Sequence, residues 1–362
     1  MFLLAMLPTG TTVIIALNRI SDQIILDTER DLHTINHGTT AHINEYLNYL
    51  RTSAQALGRD KSIVDNLQRY YRQGPAVWDP AGLTAYLKTI QNSRAEVSDL
   101  LVLDSTGAVL ASASGQYSGI NLSSRNFFLQ GRQAVFLSDI NWYGFAGPAT
   151  ADVQTPTGNR TWIVTAPIAS DPGAIPIGVV MGSIDPNSLA HRLAYTMGGD
   201  DHQHELPLNT DLISLYLVNQ NRLKITPAFS EEKLSPTDTV STEPVIKGLE
   251  QGEEFIGEYV GSDGNLMIGS SKVIPDLQWV AIVEVERELV LFPIIRLRRL
   301  ALLGTLIVVI VLLLGTIYLT KRVTDPIFRL MKANDALGRG DAAAAVIPPD
   351  EIVGDEVGDL MV

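Results

Sequence analysis

The most apolar stretch of the chain covers residues 300–319, which contain no charged side chain. Basic residues, among them Arg299 and Lys321, border it on both sides. Twenty helical residues at about 1.5 Å each span about 30 Å, the thickness of the hydrocarbon core of a membrane. We therefore predict a transmembrane helix over residues 299–320. The alternative, a buried core helix of this length, would normally show a polar face.

The N-terminal residues 1–17 are apolar as well, but Pro8 and Gly10 interrupt them. No basic residue precedes them, so they make a poor secretory signal peptide. We predict a first transmembrane helix over residues 1–18, with a cleaved export signal as the alternative. Both alternatives send the residues that follow across the membrane. We therefore expect a protein of the cell membrane with two spans and a large extracytoplasmic domain.

The residues after the first apolar segment predict helices. Apolar side chains between Ile43 and Leu57 recur at spacings of three and four, which places them on one helix face. Because this stretch contains no proline, we predict one long helix that reaches about Tyr71. Gly-Pro and Asp-Pro pairs then break the helix, and a short helix is predicted at 81–94. We assign residues 19–96 to these helices.

A strand-rich pattern follows. Two apolar runs flank an Asp-Ser-Thr-Gly turn and predict a β-hairpin, and the same order of elements recurs once, more weakly. The predicted strands are 99–103, 108–113, 161–167 and 177–184, and then 212–219, 257–260, 266–270 and 277–284. We therefore predict an α+β fold with two small antiparallel units in tandem, residues 97–200 and 201–295.

Composition excludes several classes of function. The net charge of −13 argues against nucleic acid as a partner, because phosphate binding needs clustered basic residues. The chain has no cysteine, so disulfides, thiolate metal sites and cysteine nucleophiles are excluded. No nucleophile-elbow, phosphate-loop or zinc-protease motif occurs. We expect no catalytic activity in this chain and no cofactor.

The residues after the second apolar segment predict a helix that needs a partner. Ile327, Leu330 and Leu337 form a stripe at coiled-coil spacing. Such a stripe is buried only against another helix, so we expect a homodimer that forms through its membrane and linker helices.

The segments between the spans resemble a double Cache sensor domain. The resemblance covers roughly residues 20–290 and rests on VSDLLVLDSTGAVLASASGQYSGINLSSRNFF, TWIVTAPI, IPIGVVMGSIDPNSL and LQWVAIVE. It implies a long N-terminal helix that carries two tandem PAS-like antiparallel-sheet subdomains, flanked by the two transmembrane helices. It also implies that the membrane-distal subdomain holds a small ligand and that the proximal one passes the change onward.

Residues 321–362 resemble a HAMP linker, a helical signalling module. The opening helix of that family starts Pro-Ile and ends Gly-Asp, and its second helix starts with an Asp-Glu-Val-Gly-like motif. The matching positions here are Pro326, Ile327, Leu330, Leu337, Gly340, Asp341, Asp355, Glu356 and Gly358. The chain stops a few residues into the second helix, so we expect the linker to be truncated. We expect a missing output domain, of kinase, cyclase, phosphatase or chemotaxis type.

The Cache resemblance also suggests ligand-binding residues. Arg125, Phe127 and Phe128 fall where amino-acid-binding members place an Arg followed by Trp and Tyr, and a guanidinium suits a carboxylate. Ser183 replaces the Asp that accepts the ligand amine in those members, and Asp185 lies two residues on. An organic acid, an amine and an amino acid all remain open as the ligand. The alternatives are a structural ion pair for Arg125 and core packing for the phenylalanines.

Four further residues lie on loops that are expected to cover this pocket: Tyr117, Asp139, Trp142 and Tyr143. Aromatic side chains beside glycines suit a lid over a small ligand. Loop packing is the alternative for the aromatic residues. Asp139 either accepts a bond from a ligand amine or caps a turn.

Histidines raise the question of a metal. His202 and His204 lie in a run of acidic residues, and His33 and His37 are four apart on a predicted helix, with His42 nearby. Neither spacing matches an established metal motif, so we expect no metal and interpret the first run as a solvated loop. We predict a small-molecule receptor; the alternative is a membrane-anchored extracytoplasmic enzyme or solute-capture protein without signalling output.

Overall fold

The computed structural model describes residues 2–140, 160, 162–171, 173–198, 212–226, 234 and 238–340. The chain divides into two compact units. One is Asp22–Val290, and the other joins Met1–Ser21 to Leu291–Val362.

Helix α1 (Phe2–Gly58) carries the predicted apolar stripe, and Ile43, Leu47 and Leu50 are buried. The expected continuation to Tyr71 is wrong, because α1 ends at Gly58 and a new helix, α2 (Lys61–Gln73), begins. Asp60 starts α2 by accepting a 3.1 Å bond from the Ile63 amide.

The break also has a packing reason. A Cβ on Gly58 would lie 2.3 Å from the Pro167 carbonyl oxygen, so only glycine lets the helix end approach that strand. Helix α3 (Ala81–Asn92) follows as predicted.

The first sheet has five strands in the order β2-β1-β5-β4-β3, all antiparallel neighbours. Its elements are β1 (Val97–Asp104), β2 (Val109–Ser112), α4 (Asn126–Gly131), β3 (Phe136–Leu137), β4 (Trp162–Ile168) and β5 (Gly178–Ile184). Helix α5 (Pro186–Gly198) follows β5. We call this the distal sheet.

The second sheet repeats that order in four strands, and at the place of β2 the described residues show an isolated antiparallel bridge between Val218 and Lys224. Its elements are β6 (Ser214–Val218), α6 (Glu243–Ile246) with a π-helical extension (Lys247–Gln251), β7 (Phe255–Val260), β8 (Leu266–Ile274) and β9 (Trp279–Glu286). The order β6-β9-β8-β7 corresponds to β1-β5-β4-β3 of the distal sheet. The predicted tandem repeat is therefore confirmed, although β8 is longer than expected. We call this the proximal sheet.

Both faces of the distal sheet are covered, so every residue of β5 is buried and all but Ser183 are apolar or glycine. Val180 and Ile184 pack in the same core as α1, α2 and α3, whereas Val179 and Met181 pack with Phe128 of α4. We call the second surface the α4 face.

Helix α7 (Arg287–Leu319) leads through a π-helical turn (Thr320–Thr324) into α8 (Asp325–Gly338). Within the described part of the chain, Arg287–Arg322 is the one helix long and apolar enough to cross a membrane. The predicted first span lies within α1, and its insertion into a membrane stays a prediction.

Helix α8 coincides with the predicted opening helix of the HAMP linker, and its Ile327 side chain is exposed. The linker positions Asp341, Asp355, Glu356 and Gly358 lie outside the described residues. The HAMP assignment therefore stays a prediction.

Candidate ligand-binding site

The loop after β2 folds back over the first hairpin and places α4 on the sheet. The Leu122 amide donates to the Gly107 carbonyl at 2.8 Å. Gly107 has a φ of 86°, which suits glycine, and a Cβ there would meet Ser123 backbone atoms at 2.6 Å. Helix α4 begins directly after this loop, at Asn126, and Arg125 is the last residue before it.

Two contacts hold α4 against β4. The Thr165 hydroxyl donates to the Phe127 carbonyl at 3.1 Å. A Cβ on Gly131 would lie 2.3 Å from Thr165 Oγ1, so glycine allows the helix to approach the strand closely. The approach brings Phe128 into the sheet surface, where 1% of it is exposed.

The α4 face is an apolar surface with a more accessible rim. Its buried members are Leu101, Leu103, Val109, Leu122, Phe128, Ile163, Val179 and Met181. Tyr117 and Phe127 pack against this set and are only partly buried. Phe128 therefore has the core role that was its alternative, whereas Tyr117 and Phe127 remain available at the rim.

The guanidinium of Arg125 has an unusual environment. Its Nη2 atom is buried and has no hydrogen-bond partner among the described residues. The ion pair that was the alternative for Arg125 is likewise absent from the described part of the chain. Leaving a buried donor unpaired costs about 1–3 kcal/mol, and more for a charged group. The site is therefore suited to receive an anion.

Sequence reasoning missed Asp99, which lies on the same face. Asp99 pairs with Ser183 across β1 and β5, and the next pair along that face is Leu101 with Met181. The Asp99 carboxylate accepts bonds from Ser114 Oγ at 2.6 Å, from the Ser114 amide at 3.1 Å and from the Leu100 amide at 2.8 Å. A carboxylate has about four acceptor positions, so the bonds from the described residues leave about one position for a ligand.

Asp99 gave a weak signal in the sequence because a single acid at a strand start is typical of a solvated strand end. In the folded chain it is 5% exposed, while Ser183, which takes the place of the family's aspartate, is 8% exposed. The β1–β5 register thus places the Asp99 carboxylate next to Ser183, the position at which the resemblance implies an aspartate.

Asp185 has a structural role at the start of α5. Its carboxylate accepts a 2.9 Å bond from the Asn187 amide, and its carbonyl accepts from Ser188 Oγ. Both bonds stabilise the start of the helix, and the predicted contact of Asp185 with a ligand stays a prediction.

Asp139 also has a role that neither sequence alternative described. Its carboxylate accepts 2.8 Å bonds from Trp279 Nε1 and from Asn219 Nδ2, both of which belong to the proximal sheet region. Burial raises the pKa of Asp139, and these two bonds oppose the rise. The residue links the two sheets. The predicted lid residues Trp142 and Tyr143 lie outside the described residues.

The corresponding face of the proximal sheet holds a second buried acid. Tyr259 and Tyr216 both donate to Glu284 Oε2, the latter at 3.1 Å. A Cβ on Gly269 would lie 2.7 Å from Tyr259 Cε1, so glycine lets the phenol cross towards Glu284. Burial raises the pKa of Glu284, and the hydroxyl bonds oppose the rise.

Two antiparallel sheets of matching strand order, preceded by a long helix, define a tandem sensor-domain fold. The family model for the Cache domain matches residues 16–294, and the chain belongs to this family. Cache domains of this kind are extracytoplasmic sensors of membrane receptors. No curated protein sequence matches the chain.

Solved structures of sensor domains are similar to this chain at low sequence identity. The ligand-binding domain of the Campylobacter jejuni chemoreceptor Tlp3 in complex with 4-methylisoleucine has a TM-score of 0.50 at 12% identity, and the match covers 74% of this chain and 94% of that one. The V. cholerae histidine kinase DctB sensor domain has a TM-score of 0.49 at 14% identity, with 73% and 98% covered. At these identities the likeness concerns the fold.

Proposed function

We propose that this protein is a transmembrane receptor whose distal Cache subdomain binds a small carboxylate-bearing solute outside the cytoplasm. The observation that carries the proposal is the buried Nη2 atom of Arg125, which has no hydrogen-bond partner among the described residues and belongs to the residue directly before α4. A ligand carboxylate would supply the missing acceptor through a charge-assisted bond.

Within this class, we propose an amino acid with an apolar side chain. Arg125 suits the carboxylate, the α4 face suits an apolar group, and the acceptor position of Asp99 that no described residue fills suits an ammonium. The C. jejuni Tlp3 domain, which shares the fold, has been solved with L-valine, L-norvaline and 4-methylisoleucine. Ser183 has no carboxylate to accept a bond from a ligand amine, so the sequence left the ligand class open. In this proposal Asp99 supplies that carboxylate.

The chain offers a direct route from the ligand to the membrane. Asp139 follows β3 and is bonded to Trp279, the first residue of β9. Strand β9 ends at Glu286 and α7 begins at Arg287, so no loop separates the proximal sheet from the exit helix. A shift of β9 would therefore reach α7 without being absorbed by a flexible connection. Ligand binding biases such a shift only by its differential affinity for the two states.

We further propose that α8 relays this shift within a homodimer to an output domain, and that the residues of this chain catalyse no reaction. The support is the apolar stripe of α8, in which Ile327 is exposed. Such a helix needs a partner to bury its stripe.

Calorimetry of the full chain in nanodiscs tests the proposal. Apolar amino acids, dicarboxylates and simple amines are titrated into the wild type, Arg125→Ala and Arg132→Ala. Arg132 is the matched control, because it caps the other end of α4 and is exposed. We expect binding of an apolar amino acid that Arg125→Ala weakens by at least about 1.4 kcal/mol, or tenfold. Binding that Arg125→Ala leaves unchanged overturns the site, and turnover of a titrated compound overturns the receptor.

A further inference from the structure

Outside the distal site, the fold brings three metal-ligating side chains together. His33 and His37 lie one turn apart on α1, and Glu254 lies immediately before β7. Their ligand atoms all lie within 4.8 Å of one another. His37 Nε2 is 3.6 Å from Glu254 Oε2, and the two imidazole rings have centroids 4.4 Å apart.

Buried hydrogen bonds join α1 to the proximal sheet next to this cluster. Asn36, between the two histidines, is fully buried, and its Nδ2 donates to the Ser270 carbonyl at 2.8 Å and to the Ala281 carbonyl at 3.2 Å. These bonds fix α1 on β8 and β9 at the level of the histidines. The relative position of helix and sheet is therefore set before any ion binds.

A positive charge already occupies the cluster. Lys272 Nζ lies 2.9 Å from Glu254 Oε1 and 2.9 Å from the His37 ring nitrogens. The Lys272 hydrogen bond lowers the pKa of Glu254. The cluster thus combines two imidazoles with a carboxylate, and a cation already lies against one imidazole and the carboxylate. Imidazole and carboxylate ligands suit a divalent transition metal.

We propose that His33, His37 and Glu254 bind a divalent transition-metal ion of the zinc class, which displaces the Lys272 ammonium. Two imidazoles and one carboxylate leave a fourth tetrahedral position for water. Bonds of about 2.0–2.2 Å require the three donors to move closer, and the exposed side chains of His37 and Glu254 allow this. The ion would tie α1 to the proximal sheet with a stronger link than the lysine.

Zinc titration of the metal-stripped full chain in detergent tests the site. We expect the wild type to bind one Zn²⁺ per chain. His37→Ala and Glu254→Gln should each lower the affinity by more than about tenfold, because the loss of even an outer-sphere partner costs about 10–100-fold. Lys272→Met should tighten binding, because it removes the competing charge. With Co²⁺ the wild type should show the intense visible absorption of a tetrahedral site, and His33→Ala should not.

Two controls identify the site. His42→Ala removes an exposed histidine of the same helix that is paired with Glu45, and should leave the affinity unchanged. The double variant His202→Ala, His204→Ala tests the other histidine pair. The proposal is overturned if the wild type binds no Zn²⁺, if the 202/204 variant alone abolishes binding, or if Lys272→Met weakens it. Thermal unfolding of each metal-free variant confirms that the fold is intact.

Discussion

The indole Nε1 of Trp279 donates a 2.8 Å hydrogen bond to Asp139 Oδ1 and so joins the distal sheet region to the first residue of β9. The Trp279 ring also lies against Trp162 of β4, with ring centroids 5.7 Å apart. The contact connects the strands nearest the proposed ligand with the strand that continues into α7. Removing this contact should lower the stability of the domain and weaken the transmission of a ligand-induced change to α7 more than it lowers ligand affinity.

Trp279→Phe should destabilise the domain. The substitution keeps most of the aromatic packing but removes one donor from a mostly buried carboxylate, which costs about 1–3 kcal/mol. Thermal unfolding of the full chain in detergent should show a lower midpoint than the wild type. Trp78→Phe is the control, because Trp78 lies only partly buried beside Tyr70 at the end of α2. Equal midpoints for wild type and Trp279→Phe would contradict the structural role of the bond.

Asp99→Asn should change the ligand preference rather than abolish binding. An asparagine keeps the shape and can still accept from Ser114, but it loses the charge that holds an ammonium. We expect weaker binding of amino acids by about tenfold or more, and little change for the matching carboxylic acids that lack the amine. Competition calorimetry measures both. A uniform loss of affinity for the two ligand types would show that Asp99 acts only through the fold.

Gly131→Ala should disturb the seat of α4. The added methyl would lie 2.3 Å from Thr165 Oγ1, so the helix must move away from β4. Overpacking of this kind costs about 1–3 kcal/mol, and the shift should also weaken ligand binding at Arg125. Gly82→Ala in α3 is the matched control, because a Cβ there meets no atom within 4 Å. Unchanged unfolding in Gly131→Ala would disprove the close contact.

Glu284→Gln should flatten the pH dependence of stability. The pKa of Glu284 is raised above 4.5, so its native state holds the proton to higher pH than the unfolded chain does. Its contribution to stability is complete below 4.5 and is lost as pH rises through the folded pKa. Tyr216, Tyr259, Lys224 and Asp263 are the ionisable groups that act on it.

Denaturant unfolding of the wild type and Glu284→Gln should be compared at several pH values from about 4 to about 8. We expect the wild type to lose stability relative to the variant as pH rises. Glu250→Gln is the control, since Glu250 is an exposed partner of Arg222. Parallel profiles for wild type and Glu284→Gln would contradict a raised pKa.

Single cysteines test the membrane topology with little background, because the chain contains no cysteine. We expect Asn121→Cys to react with a membrane-impermeant maleimide in intact cells, and Asp341→Cys to react only after permeabilisation. Equal labelling of both positions in intact cells would place them in one compartment and would end the receptor proposal.

Several features were open to prediction because they depend on neighbours along the chain. The stripe from Ile43 to Leu57, the first hairpin and the repeated order of strands all follow from local periodicity. The break at Gly58 was missed although Asp60, the cap of α2, was a local signal for it; the close approach of Gly58 to Pro167 depends on a distant strand and was not open to prediction. The nearly continuous apolar run of β5 likewise hid which residues face α1 and which face α4.

The sequence by itself determined the helical and strand segments, the apolar segment over 300–319 and the lack of thiol chemistry, because covalent order sets periodicity and composition. Only the tertiary structure decided that Asp139 meets Trp279, that Asp99 stands beside Ser183 and that Glu254 lies next to His37. Such pairs depend on strand register and on how α1 packs across the sheets. A shift of one residue along β1, for example, would send Asp99 to the opposite face of the distal sheet.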